Sequence, residues 1–356
     1  MPASPGFWQA ATNWDGQWYA TVALHGYPST LPTLHGLVTQ NEWAFYPLYP
    51  TLCRVIMELT SAPFHVVAPL FSLACGLLAM IVLYRMLRET ASRFSAGATV
   101  ACLSAFAASP VLQLAYTESL ALLLIILTLF AMRRRRYISV MFLVVGLSLT
   151  RPVGLAVAAT LVILGLVRWR QTPDEFPRRE RWLHAWASAV ALVSAGLWPA
   201  AAWFGTGRVD AYVVTMKGWE SYGASGVGPG WILGLAQIHG RNAALGLVGG
   251  LLAYLLLLRR RSAGAWGLDL RVWTAVYPLY LFLATAPGVS ILRYLTLAIV
   301  PFWPMPVIRH PHESVKGRGF EWVLLILILL LGLLCQYVWV TDIFMIRELK
   351  DRRPLP

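Results

Sequence analysis

The chain is poor in charge. Only 13% of its 356 residues are Asp, Glu, Lys or Arg, against roughly 25% in an ordinary soluble domain. Acid is scarcer than base: 16 acidic and 29 basic residues leave a net charge of +13. Cysteine is rare as well. Cys53, Cys75, Cys102 and Cys335 form no CxxC or other metal spacing, which argues against a disulfide framework or a cysteine-held metal. The last three sit in apolar runs and read as small core residues. The seven histidines make no H-E-x-x-H, and neither a P-loop nor a G-x-S-x-G occurs. Zincin chemistry, ATP-driven transport and an α/β-hydrolase site therefore lack support. There is no basic stretch followed by an apolar run at the start, as a signal peptide would need. Lipidation motifs, low-complexity tracts and repeats are also lacking.

Apolar surface is what the chain has in excess. Hydrophobic residues make up 58% of it and the mean hydropathy is +0.62. Such a chain is neither disordered nor a soluble globular enzyme. Its basic balance would otherwise suggest nucleic acid. With this apolar excess it points instead to an all-α polytopic membrane protein whose cations mark one side of the bilayer, and no nucleic-acid partner is expected.

A membrane-crossing helix needs about 20 mostly apolar residues. Ten runs approach this: 66–84, 94–112, 118–132, 138–149, 153–167, 183–205, 243–258, 270–286, 292–308 and 321–341. They divide the chain into an outer-face loop at 1–62, a bundle of about ten spans at 63–342 and a polar tail at 343–356. Thr150-Arg151-Pro152 separates two of the runs, and Pro152 biases Arg151 away from helix, so a break is expected there. Nineteen of the 29 basic residues fall in five clusters, at 85–93, 133–136, 168–181, 259–271 and 309–318. Counting 138–149 and 153–167 as two passes puts all five on one side, as the positive-inside rule favours. Arg151 then lies near the outer face, with the segments 1–62 and 206–242. The tail, with Arg347, Lys350, Arg352 and Arg353, conflicts with this count.

Five motifs concentrate on that outer side. The first is Trp14-Asp15-Gly16-Gln17-Trp18-Tyr19, followed by His25-Gly26-Tyr27-Pro28 and Ala44-Phe45-Tyr46-Pro47-Leu48-Tyr49-Pro50. An acid among aromatic rings loses water, which makes a carboxylate a better proton acceptor. An aromatic belt with an N-capping Asp is the plainer alternative. The second is Tyr116-Thr117-Glu118-Ser119-Leu120. Glu118 either starts a helix at its positive dipole end or has a task, since an acid at membrane depth is costly. The third and fourth, Thr150-Arg151-Pro152-Val153-Gly154 and Ser290-Ile291-Leu292-Arg293-Tyr294, each supply one arginine. Guanidinium recognises phosphate through paired hydrogen bonds, and it also snorkels to headgroups. The fifth, Lys217-Gly218-Trp219-Glu220-Ser221-Tyr222, opens a glycine-rich stretch that reads as turn chemistry or as a lid. Glu42 adds another outer acid.

In order, W-D-x-x-W/Y, G-Y-P with A-F-Y-P-L-Y-P, Y-T-E-S-L and T-R-P-x-G resemble the GPI mannosyltransferase 2 (PIG-V) family, bacterial members included. The resemblance covers most of the chain and is strongest over 14–155. It implies a GT-C-like helical bundle with its site on the outer face, in a bacterial plasma membrane. It also implies inverting transfer of a sugar, usually mannose, from a polyprenyl- or dolichyl-phosphate donor. The family's first-loop acid falls on Asp15, its second acidic motif on Glu118 and its T-R-P arginine on Arg151; Arg293-Tyr294 resembles a late basic motif less closely. GT-C enzymes place a helix before the first outer loop. Fourteen residues precede Asp15, too few to span, so that helix is expected to be missing through a late start.

The expected chemistry uses one base. A sugar–phosphate bond already carries a good leaving group, unlike the substrates of two-carboxylate glycosidases. Asp15 is the expected base, Arg151 and Arg293 the donor-phosphate ligands, and Glu118 orients the acceptor or holds an arginine. Trp14, Trp18, Tyr46 and Tyr49 would form an aromatic floor, with Glu42, Tyr116, Lys217, Glu220 and Tyr294 as further substrate contacts. The acceptor would be a glycolipid, a glycan or a protein. No cofactor and no metal ligand is predicted. The competing expectations are a secondary transporter or flippase, against which the absence of repeats and midplane acids counts, and a non-catalytic GT-C-like subunit.

Overall fold

The computed structural model describes residues 6–219, 227–228, 230–239, 241–259, 264, 266–286, 288, 290–299 and 319–345. Glu220, the basic residues at 260–261 and 309–318, most of the run 292–308 and nearly all of the tail lie outside the described residues.

The described chain is mostly helical. Its helices are α1 (Phe7–Ala10), α2 (Asp15–His25), α3 (Leu48–Thr60), α4 (Phe64–Leu87), α5 (Arg93–Ser104), α6 (Glu118–Arg133), α7 (Tyr137–Ser148) and α8 (Gly154–Gln171). They continue as α9 (Arg178–Ser194), α10 (Leu197–Thr206), α11 (Ala211–Lys217), α12 (Gly230–His239), α13 (Arg241–Arg259), α14 (Leu268–Ala284), α15 (Ile291–Leu295) and α16 (Gly319–Val338). One two-stranded antiparallel ladder, β1 (Thr33–Leu34) with β2 (Leu37–Val38), sits between α2 and α3. Among the described residues, four helical stretches are long and apolar enough to cross a membrane: Phe64–Leu87, Gly154–Gln171, Arg178–Thr206 and Gly319–Phe344. Tyr137–Ser148 and Leu245–Arg259 are shorter apolar helices.

The described part of the segment expected as an outer loop, 6–62, is about half helical. Its helices are too short for a 20-residue apolar criterion. In α3, Tyr49, Pro50 and Cys53 are buried on one face, while Arg54 and Glu58 are exposed and paired at 2.9 Å on the other. The run 94–112 yields a helix only to Ser104, because the chain turns before Pro110. The run 292–308 begins as the five-residue α15 and a short 3-10 turn, which Ile299 ends with its backbone in the left-handed region at φ +69°.

By its contacts the chain divides into two units, each built from segments that alternate along the sequence. One comprises 1–79, 111–158 and 177–222; the other comprises 80–110, 159–176 and 223–356. The division falls inside α4 and α8 and follows contacts, which a linear hydropathy scan does not see.

In the first unit α6, α7 and α9 form a packed layer. The Tyr137 hydroxyl, at the start of α7, donates to Glu180 in the first turn of α9 at 2.8 Å. Ser148, the last residue of α7, meets Ser194, the last of α9, at 2.9 Å. The two helices are therefore parallel. α6 runs antiparallel to α7, so that Gly146 late in α7 faces Leu124 early in α6. The 16 residues of α6 span about 24 Å at 1.5 Å per residue. That length separates Glu118 from the arginines at 133–136.

In the second unit α5 lies along α16. Phe94 packs edge-on against Trp322 at 4.6 Å, and Gln336 donates to the carbonyls of Ser104 and Phe106 at 2.7 and 3.1 Å. Gly332 lets the backbones approach; a Cβ there would collide with the Ala105 carbonyl. The Trp273 indole N–H of α14 donates to Leu297 at 2.9 Å.

Candidate functional site

Four of the five outer motifs converge in the first unit. The Ala115 N–H donates to Ala11 at 2.8 Å, and the Tyr116 hydroxyl donates to the Asn13 carbonyl at 3.2 Å. These bonds fix the entry to α2 against the entry to α6. The Leu48 N–H, in the F-Y-P-L-Y-P motif, donates to the Leu149 carbonyl at 2.9 Å, which ties α3 to the Thr150-Arg151-Pro152 turn. That turn is a true break between α7 and α8. It closes tightly because Gly154 has no side chain: a Cβ there would lie 2.7 Å from Ser148 Oγ and 3.1 Å from Ala195 Cβ.

The charged centre is small. Arg151 Nη1 lies 2.8 Å from Glu118 Oε1, with the glutamate side chain 1% exposed and the arginine 13%. The same Nη1 donates to Thr117 Oγ1 at 3.0 Å, and the Tyr19 hydroxyl meets that oxygen at 3.3 Å. Asp15 heads α2, one turn before Tyr19. Burial raises the affinity of the Tyr19 phenol for its proton well above the ordinary value; Asp15 and Glu118 push the same way and Arg151 opposes them. One phenol thus feels all three charged groups. Tyr19 and Thr117 lie within the first and second motifs but carry no role in the expected site, although Tyr19 stands at i+4 from Asp15, on the same helix face.

Asp15 does not cap its helix. The capping position is Trp14, whose side chain makes no capping hydrogen bond. Trp14 has φ +55°, a region costly for a bulky residue and found where surrounding structure holds the backbone.

The expected aromatic floor is redistributed. Tyr49 is fully buried and its hydroxyl reaches Ala68 and Ser72 at 2.9 and 2.8 Å. Tyr46 is buried with its hydroxyl 2.9 Å from that of Tyr212, and Tyr116 is buried against Asn13. These three are core residues, because each phenol finds an internal partner. Trp14 and Trp18 are half-buried. Trp18 stacks on Phe45 at 5.6 Å and meets Trp219 edge-on at 5.2 Å, so Phe45 and Trp219 replace Tyr46 and Tyr49 beside it. Glu42 is half-buried at the start of a 3-10 turn, and Lys217 is exposed at the end of α11.

Arg293 and Tyr294 belong to the second unit. Arg293 is 8% exposed, its guanidinium lies 5.2 Å from the Tyr294 ring centre, and the Tyr294 carbonyl accepts from Tyr277 at 3.1 Å. A cleft of about 360 Å³ opens elsewhere in the first unit, between the C-terminal parts of α2 and α3, lined by Leu24, Arg54, Met57 and Glu58 among others. It does not include the Asp15–Arg151 cluster. Among the described residues, no three His, Cys, Asp or Glu side chains gather as a metal site requires. No protein-family model, no curated protein and no solved structure matches the chain.

Proposed function

We propose that the chain is a membrane glycosyltransferase of the GPI mannosyltransferase 2-like type. In this reading it moves a sugar, mannose in the simplest case, from a polyprenyl-phosphate donor to a hydroxyl of a glycolipid, glycan or protein acceptor. The observation that carries the reading is the arginine–glutamate pair at the entry to α6, set beside the strained entry to the helix that Asp15 begins. One carboxylate and one held guanidinium are what single-base transfer from a lipid phosphate needs.

Asp15 takes the proton from the acceptor hydroxyl as its oxygen bonds to the anomeric carbon. The bond from that carbon to the phosphate oxygen breaks, and its electron pair leaves with the lipid phosphate. Attack and departure on opposite faces invert the centre. Arg151 stabilises the charge gathering on the phosphate. Glu118, nearly inaccessible and bonded to Arg151, is a positioning residue that holds the arginine. Trp18 supplies a ring face for a sugar, and the apolar spans hold the polyprenyl chain.

The test is transfer of labelled mannose from polyprenyl-phosphate mannose in membranes containing the chain. Asp15→Asn should lower the rate by roughly 10²–10⁴-fold, the usual contribution of a general base. Near-normal transfer by that variant would remove Asp15 from the mechanism. Counterflow of the donor without any transfer would favour a transporter.

A further inference from the structure

The end of the α6–α7–α9 layer opposite Glu118 and Arg151 carries a different chemistry. Residues 133–136, all arginine, close the connection from α6 to α7, and Arg178, Arg179 and Arg181 open α9. The sequence holds these groups about forty residues apart. The Tyr137–Glu180 bond brings them to one end. Glu180 among them accepts from Tyr137 and lies 3.7 Å from Arg135, and Asp174 and Glu175 precede α9 in the loop from α8, so basic residues outnumber acidic ones at this end among the described residues. Arg136, Arg178 and Arg179 are exposed. One and two turns further along α9 stand Trp182 and Trp186, 68% and 61% exposed. Their spacing puts both rings on one helix face, opposite the buried His184, Ala187 and Ala191.

We infer that this end is a binding face for the phosphate headgroups of anionic phospholipids. Guanidinium groups grip phosphate oxygens through paired hydrogen bonds. Exposed tryptophans at the start of a membrane-length helix stretch lie at headgroup depth, where the indole body is apolar and its N–H is wet. A nucleic acid would use the arginines but would leave two large indole rings in water within the 29-residue helical stretch Arg178–Thr206, which is long and apolar enough to cross a membrane. The membrane surface satisfies both features. The proposal is independent of the glycosyltransferase reading, because the face lies about 24 Å from the acid–arginine centre.

The test uses the full chain purified in a neutral detergent, with bound lipid counted by native mass spectrometry. Phosphatidylglycerol should be retained and phosphatidylcholine should not, and retention should fall as salt rises. The triple variant Arg136→Gln/Arg178→Gln/Arg179→Gln should lose affinity on the order of 100-fold, since each basic residue near an anionic surface contributes about fivefold. A charge-matched control, Arg54→Gln/Arg208→Gln/Arg241→Gln, should retain the lipid. Trp182→Leu/Trp186→Leu should weaken retention while leaving its salt dependence intact. Equal loss in the control triple would overturn the proposal, because net charge alone would then explain binding. So would unchanged retention in the first triple. Competition by free glycerol phosphate as strong as by the lipid would make this a free-anion site, and complete displacement by an RNA oligomer would make it a nucleic-acid surface; either result overturns the lipid assignment.

Discussion

Arg151 lies 2.8 Å from Glu118 through Nη1, joining the turn after α7 to the first residue of α6. The two residues are 33 positions apart, and the same guanidinium also donates to Thr117 at 3.0 Å. Taking either charge out of water is costly, and the partner offsets that cost. Removing one partner leaves the other as a buried charge. Arg151→Leu is expected to destabilise the protein by about 3–5 kcal/mol, read as a fall in thermal midpoint in detergent. The double variant Glu118→Leu/Arg151→Leu should be more stable than either single one. A double variant as unstable as the sum of the singles would show that the pair is not coupled.

The same pair fixes a functional expectation. If Glu118 positions Arg151 for a donor phosphate, Glu118→Gln should raise the KM for polyprenyl-phosphate mannose more than it lowers kcat. Loss of one charge-assisted hydrogen bond corresponds to about 1.5–3 kcal/mol, or roughly 10–150-fold. A fall in kcat at unchanged KM would instead place Glu118 on the reacting atoms.

Alkaline pH should weaken the first unit. Burial pushes the Cys53 thiol from 9.0 up to about 12, and it raises Tyr19 and Tyr27 as well. The folded state therefore keeps protons that the unfolded chain releases. For Cys53 the corresponding stability is complete below about pH 9 and is lost as pH rises toward about 12. Unfolding midpoints should fall over that interval, and Cys53 should resist maleimide at pH 8 unless the protein is denatured. Rapid labelling of native Cys53 at pH 8 would contradict its burial.

Part of this arrangement is legible in the sequence. The break at residues 150–152 follows from Pro152 and appears as a turn between α7 and α8. Asp15, Glu118 and Arg151 stand out because charge is scarce in their surroundings, and the fold brings them to one neighbourhood. Their pairing is not legible: hydropathy gives runs and sides, but the bond between residues 118 and 151 depends on how α6 and α7 pack. Tyr46 and Tyr49 show the converse. Aromatic residues in a Pro-rich segment look alike in sequence whether they line a site or fill a core, and only their internal hydroxyl partners separate the two. The helices α2 and α3 escape a scan tuned to membrane length because they need only one apolar face. The parallel pairing of α7 and α9, which gathers seven arginines, likewise depends on two contacts that no linear pattern marks.

Gly154 offers a test of the turn that carries Arg151. A methyl group there would meet Ser148 Oγ at 2.7 Å and the Ala195 Cβ and Cα at 3.1 and 3.2 Å. Ser148 is held by its bond to Ser194, and the Ala195 Cα is backbone, so neither neighbour yields cheaply. Gly154→Ala should therefore destabilise the protein by about 1–3 kcal/mol, the usual cost of overpacking, although alanine favours helix by about 1 kcal/mol. Gly97, inside α5, has no atom within 4 Å of its would-be Cβ, so Gly97→Ala should be neutral or stabilising by up to about 1 kcal/mol. The comparison separates packing from propensity, because both substitutions add the same methyl group to a helix. If the proposed glycosyl transfer holds, displacement of the turn should also weaken donor binding in Gly154→Ala and leave it unchanged in Gly97→Ala. Equal melting temperatures for the two variants would show that the α7–α8 turn is looser than its contacts imply.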